Sequence, residues 1–253
     1  ILEWHVSMNY RELITSNYES KKKGNTISCI LSNKNFDYGH RLRLALVREM
    51  INSDLSLDLY GEIDPKLHDY KTSNKVTYKG VLPYQKKEDG LIQYKYHFNA
   101  ENTMEKNYNT EKIIDAIYCE SLIFYWGSDS IDSLIDSRCY IKLPFSPSFK
   151  KDIDIITNAI NNNEWEKRLP FIKQAKKDIL TRHSMFPFLE RLLDKRDQLY
   201  SIPMYCINRK CKTTRKNNMV KLFNDLNFDV TFSERMADKD ELEEDQRISL
   251  TST

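Results

Sequence analysis

The clearest indication of the fold comes from residues 94–127, which read YKYHFNAENTMEKNYNTEKIIDAIYCESLIFYWG. The stretch opens with a short aromatic and apolar run at residues 94–98, which predicts a strand, and it closes with a second such run at residues 121–126. Between the two runs, residues 110–120 carry apolar side chains at helical spacing. A strand, a helix and a strand joined by short loops form a βαβ unit, so we expect parallel strands with a right-handed crossover.

The start of this helix has the features of an anion site. Asn109 or Thr110 is the expected N-cap, and Glu111 and Lys112 occupy the first turn. Free backbone N–H groups and the positive end of the helix dipole favour a phosphate, and Lys112 adds a full charge. Glu111 could accept hydrogen bonds from sugar hydroxyls, and Tyr108 could stack on a ring. An ordinary capped helix with a solvated first turn contains the same residues, so both interpretations stay open.

Another βαβ unit is predicted on the N-terminal side of this one. Residues 27–31 (ISCIL) predict a buried strand, residues 41–51 an amphipathic helix, and residues 56–60 (SLDLY) a further strand. Arg41 and Arg43 lie at the start of that helix, where a positive charge opposes the dipole. They indicate either an anionic partner or a solvated basic turn.

The remaining segments continue the α/β pattern. Residues 76–82 (VTYKGVL) and 139–143 (CYIKL) predict short strands. Two helical stretches follow at residues 150–161 and 164–198, and we expect the two prolines of the second, Pro170 and Pro187, to be interruptions or first-turn residues.

A seam at residues 201–203 (SIP) introduces one more strand-helix-strand pattern. The predicted organisation is therefore a segment from a preceding domain (residues 1–25), a Rossmann-like domain with C-terminal helices (residues 26–200) and a partial second α/β module (residues 201–253).

Composition excludes several classes. The 253 residues carry 39 Lys and Arg against 37 Asp and Glu, a net charge of +2, which disfavours a nucleic-acid partner recruited by overall charge. Hydrophobic residues make up 40% of the chain, yet no apolar run approaches the ~20 residues of a membrane helix. Five scattered cysteines favour a reducing compartment, and we expect a cytoplasmic protein. The missing initiating Met indicates a fragment. Dispersed histidines and the lack of a second ligand pair beside Cys206 and Cys211 predict no metal site.

The motif of residues 94–128 resembles the signature of glycosyltransferase family 10, the α-1,3/4-fucosyltransferases. In that family a Tyr-Lys-Phe strand leads to Phe-Glu-Asn-Ser/Thr, then Tyr-Val-Thr-Glu-Lys, then a strand entering a Gly-Ser loop. The upstream SN…R…LDLYG pattern is similar to the preceding family block, and the match covers about residues 26–143. Ala100 and Asn109 depart from the family pattern, which has Phe and a small apolar residue at those positions.

The resemblance implies the nucleotide-sugar-binding domain of a two-domain (GT-B) glycosyltransferase that transfers fucose from GDP-fucose to a glycan hydroxyl with inversion, without a required cofactor. By position, the donor-binding residues would be Arg43, Asn102, Tyr108, Glu111 and Lys112. Lys112 would serve the diphosphate, Glu111 the ribose or fucose, and Arg43 the leaving diphosphate. The family's general base comes from the preceding domain, and no residue of this chain is assigned to it.

The tail from residue 203 is similar to the first strand-helix-strand of the family 25 glycosyltransferases, without their metal motif. Two alternatives remain for the whole chain: a transferase that uses another nucleotide sugar, and a non-catalytic module that binds a nucleotide or a partner.

Overall fold

The computed structural model describes residues 4–62, 75–194, 204–209, 216–217, 219–221 and 230–235. Its main feature is a six-stranded sheet in which every neighbouring pair is parallel, with the order β3-β2-β1-β4-β5-β6. The strands are β1 (Ile27–Leu31), β2 (Leu57–Gly61), β3 (Val76–Gly80), β4 (Tyr96–Ala100), β5 (Leu122–Trp126) and β6 (Tyr140–Lys142). This is the order of doubly wound nucleotide-binding sheets, and it confirms the predicted α/β fold.

Both predicted βαβ units are present. Helix α2 (Tyr38–Ile51) joins β1 to β2, and helix α3 (Glu111–Tyr118) joins β4 to β5. One crossover steps along the sheet in one direction and the other in the opposite direction, so the shared right-handed rule places α2 and α3 on opposite faces. The strands are buried between these layers, and all five residues of β4 and of β5 are buried.

Some predicted boundaries are wrong by a few residues. The strand expected at residues 94–98 lies at Tyr96–Ala100, because the backbone N–H of Tyr94 donates to the carbonyl of Leu91 (3.0 Å) and closes a turn instead. Helix α2 begins at Tyr38 rather than residue 41, since the backbone N–H of Asp37 donates to Nδ1 of His40 (3.3 Å) and closes the first turn earlier.

The N-terminal segment covers the α3 face of the sheet. It includes the short helix α1 (Tyr10–Thr15), and the ring of Trp4 packs edge-on against Tyr118 of α3, with 5.5 Å between centroids. Lys22 anchors the C-terminal end of this segment, because its ammonium donates to the carbonyl oxygens of Leu91, Tyr94 and Cys119 at 2.6–3.3 Å.

After β6 the chain forms α4 (Lys150–Asn161), α5 (Glu164–Asp178) and α6 (Met185–Asp194), with a π-helical turn (Ile179–His183) before α6. Pro187 lies in the first turn of α6, as expected. The prediction for Pro170 is wrong, since it lies inside α5 without ending the helix. Pro170 and Glu166, whose carbonyl loses its usual N–H partner, are both on the exposed side, where water can satisfy that carbonyl.

The described contacts divide the chain into two compact units, residues 1–188 and 189–253. In the second unit β7 (Met204–Arg209) and β8 (Val230–Arg235) form a parallel pair in register. The proposed domain boundaries at residues 25 and 200 stay predictions. No helix in the described part of the chain is long and apolar enough to cross a membrane.

Candidate functional site

The topology opens a crevice at the carboxyl ends of β1 and β4. The chain leaves β1 toward one edge of the sheet and leaves β4 toward the other, and ligands of doubly wound sheets bind at such a switch point. We call the space flanked by the loops at residues 32–37 and 101–110 the switch-point crevice. Helices α2 and α3 both begin there. The two loops are held together by Gly39, whose N–H donates to the carbonyl of Asn102 (3.1 Å) and whose lack of a side chain permits this approach.

The start of α3 is built around Lys112. Thr110 is the N-cap, and its hydroxyl accepts from the backbone N–H of Lys112 (3.5 Å). The Lys112 ammonium donates to that hydroxyl (3.0 Å) and to the carboxylate of Glu101 (3.1 Å). The Lys112 side chain is 25% exposed, so its charge is anchored inside and reachable from the crevice.

Glu101 is a residue of the site that sequence reasoning missed. It follows β4 directly and is fully buried, and its carboxylate accepts from the N–H (3.2 Å) and hydroxyl (2.8 Å) of Thr110 besides Lys112. The available signal was a carboxylate placed at the end of a buried strand, nine residues before the N-cap of the next helix.

Arg43 and Arg41 differ in their surroundings. Arg43 is buried, and its guanidinium lies between the two strand ends, 3.4 Å from the carbonyl of Ala100 and 3.5 Å from the hydroxyl of Ser32. Its Nε is buried without a hydrogen-bond partner among the described residues. Burial lowers the pKa of Arg43, and nearby Glu101 counteracts this. Arg41 is exposed and donates to carbonyls of its own loop.

The lowered pKa of His40 indicates that several positive charges lie near its side chain. Burial lowers the pKa of His40 below its ordinary value, and the charges of Arg43, Lys34 and Lys112 lower it further, while Asp37 acts in the opposite sense. Its Nδ1 accepts a hydrogen bond from the Asp37 N–H, as only an unprotonated nitrogen can. The crevice therefore concentrates cations around a neutral imidazole.

Asn102 and Tyr108 close the far side of the crevice. The amide of Asn102 donates to the hydroxyl of Tyr108 (3.3 Å), and both side chains are partly exposed. The neighbouring Asn109 donates to the hydroxyl of Ser130 (3.0 Å), which joins this loop to the turn after β5.

Glu111 faces a different direction from the other predicted residues. Its carboxylate lies 3.6 Å from the ammonium of Lys87 and 3.7 Å from Nδ1 of His5. Burial acts to raise the pKa of Glu111, but Lys87, Lys112 and His5 together hold it below the ordinary value. Lys87 is itself anchored by the buried Asp115, at 2.6 Å. No sequence signal links Lys87 or His5 to this site, because they approach α3 from distant segments.

A cleft of about 880 Å³ adjoins the crevice. Its lining includes Ser32, which Arg43 contacts, and the two partners of Glu111, His5 and Lys87. Aromatic and apolar side chains form much of the remaining wall, including Trp4, Ile30, Leu31, Val81, Leu82, Pro83 and Tyr84. The geometry thus places cations at strand ends beside a wide, largely apolar cleft. Among the described residues, no group of three or more His, Cys, Asp or Glu side chains could hold a metal ion.

The parallel sheet with its flanking helices is of the type found in GT-B glycosyltransferases. The glycosyltransferase from Rickettsia africae ESF-5 superimposes with a TM-score of 0.52 at 13% identity, over 79% of this chain and 57% of that one, which shows the fold alone. An α1,3-fucosyltransferase solved with GDP-fucose matches with a TM-score of 0.43 at 20% identity, over 68% of this chain and 51% of that chain.

A local sequence match adds to this structural likeness. A stretch of 70 residues is 36% identical to the alpha-(1,3)-fucosyltransferase FucT of Helicobacter pylori, and it covers 28% of this chain and 15% of that protein. No family model matches the sequence. The chain spans about half the length of the fucosyltransferase structures it matches. These findings relate the chain to glycosyltransferases, with a local fucosyltransferase likeness. Assignment to family 10, and the family 25 likeness of the tail, stay predictions.

Proposed function

We propose that this chain is the donor-binding part of a glycosyltransferase that transfers fucose from GDP-fucose to a glycan hydroxyl with inversion. The observation that carries the proposal is the set of cations at the switch-point crevice. The guanidinium of Arg43 is buried at the strand ends with no hydrogen-bond partner for its Nε among the described residues, and the ammonium of Lys112 lies at the start of α3 with one N–H not used by Glu101 or Thr110. A nucleoside diphosphate is the anion that suits two cations and two helix N-termini.

In the proposed reaction the acceptor oxygen attacks C1 of fucose from the side opposite the diphosphate. The bond from C1 to the phosphate oxygen breaks, GDP leaves with the electron pair, and the acceptor proton passes to a base that this chain is not assigned to supply. Arg43 and Lys112 stabilise the negative charge that develops on the departing diphosphate, which lowers the barrier because they are positioned before the reaction. The other predicted residues complete the site: Glu111 accepts from ribose or fucose hydroxyls, and Asn102 and Tyr108 line the opposite side.

A thermal-shift comparison tests the donor. We expect GDP and GDP-fucose to raise the melting temperature more than UDP, UDP-glucose or CMP at equal concentration, because selective binding to the folded state stabilises it by mass action. Equal shifts with GDP and UDP would contradict the guanine donor and favour a transferase for another nucleotide sugar. GDP binding without hydrolysis or transfer of GDP-fucose, when this chain is joined to an acceptor-binding domain and acceptor glycans are supplied, would favour the non-catalytic binding module.

A further inference from the structure

Glu101 has an unusual position for a carboxylate near a diphosphate site. It is fully buried at the end of β4, and its N–H donates to the carbonyl of Trp126 at 2.8 Å. The side chain passes over Gly127, where an added Cβ would lie 2.8 Å from Cγ of Glu101. A buried carboxylate is tolerated only when it is paired and hydrogen-bonded, so Glu101 requires both an ion pair and hydrogen bonds from its neighbours.

The partners of the Glu101 carboxylate are the N-cap residue Thr110 and Lys112 in the first turn of α3. One oxygen accepts from the backbone N–H of Thr110 (3.2 Å), and the other accepts from the Thr110 hydroxyl (2.8 Å) and from the Lys112 ammonium (3.1 Å). The carboxylate is thus engaged within the protein and has no exposed surface to offer a ligand.

The donors of Lys112 can be counted. An ammonium has three N–H groups, and two of them bond to Glu101 and to the Thr110 hydroxyl. The third remains for a ligand. A free lysine side chain loses much rotamer freedom when it binds, and here two fixed bonds have already ordered its end.

We propose that Glu101 is a positioning residue that holds the Lys112 ammonium in place before the nucleotide binds. This inference rests on the proposed function and names how its phosphate contact is organised. Glu101 acts through Lys112 and does not touch the nucleotide.

The direction of one substitution separates positioning from simple electrostatics. Glu101→Gln removes a negative charge near the diphosphate, so electrostatics alone would tighten GDP binding. Positioning requires the opposite, because the ammonium loses its charged anchor. We expect Glu101→Gln to weaken GDP binding by about tenfold, the size of one charge-assisted contact. The matched control is Glu105→Gln in the same loop, where the side chain is exposed and affinity should change by less than about twofold.

Two further arms exclude a general loss of structure. Guanosine lacks phosphates, so its affinity, followed by ligand-observed NMR, should be the same in wild-type and Glu101→Gln protein. In a Lys112→Met background, Glu101→Gln should no longer weaken GDP binding, since its effect passes through the missing ammonium. Glu101→Asp keeps the charge but withdraws it by one methylene, and it should show a selective GDP loss even if the glutamine variant does not fold.

The outcomes are distinguishable. The positioning role would be overturned if GDP affinity were unchanged or tighter in Glu101→Gln. It would also be overturned if GDP and guanosine lost equal affinity in either variant. In both cases GDP binding by the wild-type protein, and with it the proposed function, would stand. Wild-type protein that binds no nucleoside diphosphate by calorimetry would overturn the proposed function, and the positioning role with it.

Discussion

Replacing Lys112 by alanine should weaken GDP binding far more than replacing Lys106, although both lysines lie in the motif of residues 94–128. Lys112 has a fixed ammonium, 3.1 Å from Glu101 and 3.0 Å from the Thr110 hydroxyl, at the positive end of α3. Lys106 is exposed in the preceding loop. Only the first can join the backbone N–H groups of the helix in contacting one diphosphate.

The magnitude follows from the contact that is lost. A hydrogen bond to a charged partner contributes about 1.5–3 kcal/mol, which corresponds to roughly a 10- to 150-fold change in Kd. Removing Lys112 also leaves the buried carboxylate of Glu101 without its cation, as an uncompensated negative charge near the diphosphate. This adds repulsion, and it lowers the free energy of unfolding by about 1–3 kcal/mol. We therefore expect a loss of affinity in the upper half of the range, with a melting temperature lower by several degrees.

Calorimetric titration of GDP into both alanine variants, after circular dichroism has shown that each is folded, measures the difference. Lys106→Ala should retain affinity within about twofold, as surface substitutions generally do. Comparable affinities for the two variants would show that the diphosphate does not lie on this helix end.

Two predictions concern stability. Lys176→Met leaves Glu120 buried without its cation, since the side chains are 6% and 1% exposed and lie 2.9 Å apart, and it should lower the free energy of unfolding by about 3 kcal/mol. The exposed Lys177→Met is the control in urea denaturation, and equal losses would contradict a stabilising pair. Burial lowers the pKa of His97 from 6.5 to about 3, so the unfolded chain binds a proton in that interval that the folded chain does not, and stability is lost as the pH falls below 6.5. His97→Gln should reduce this slope by up to ~1.4 kcal/mol per pH unit relative to the wild-type protein, and an unchanged slope would disprove the role of His97.

Local signals in the sequence were sufficient for most elements. Strand β1 and helix α4 lie at the predicted residues, and Thr110 is one of the two predicted N-caps. Strand β1 follows from a short apolar run, helix α4 from apolar residues at helical spacing, and the N-cap from a side chain that acts within one turn. The parallel pairing of β1 with β2 and of β4 with β5 follows from the two βαβ units.

Strand ends are harder to predict from the sequence. Residues 96–100 are all buried and show no alternation of apolar and polar side chains that could set the boundary. The burial of Glu101 depends on Thr110 and Gly127, which come close only after β4, α3 and β5 have assembled. Charge patterns along the chain do not contain such pairings.

The partners of Glu111 illustrate the same limit at longer range. Lys87 is 24 positions away and His5 is 106, and both reach α3 through segments without regular periodicity. A sequence motif can indicate that Glu111 belongs to a site, but the charges that set its pKa come from the packing of the whole unit. Arg41 and Arg43 likewise become distinguishable only when α2 is placed on the sheet.

A crystal structure of the chain with GDP would show whether the switch-point crevice holds the diphosphate of a guanine nucleotide. We expect phosphate oxygens about 3 Å from the ammonium of Lys112, at hydrogen-bond distance, with Arg43 facing the same group. GDP bound with its diphosphate away from the starts of α2 and α3 would disprove the proposed donor site.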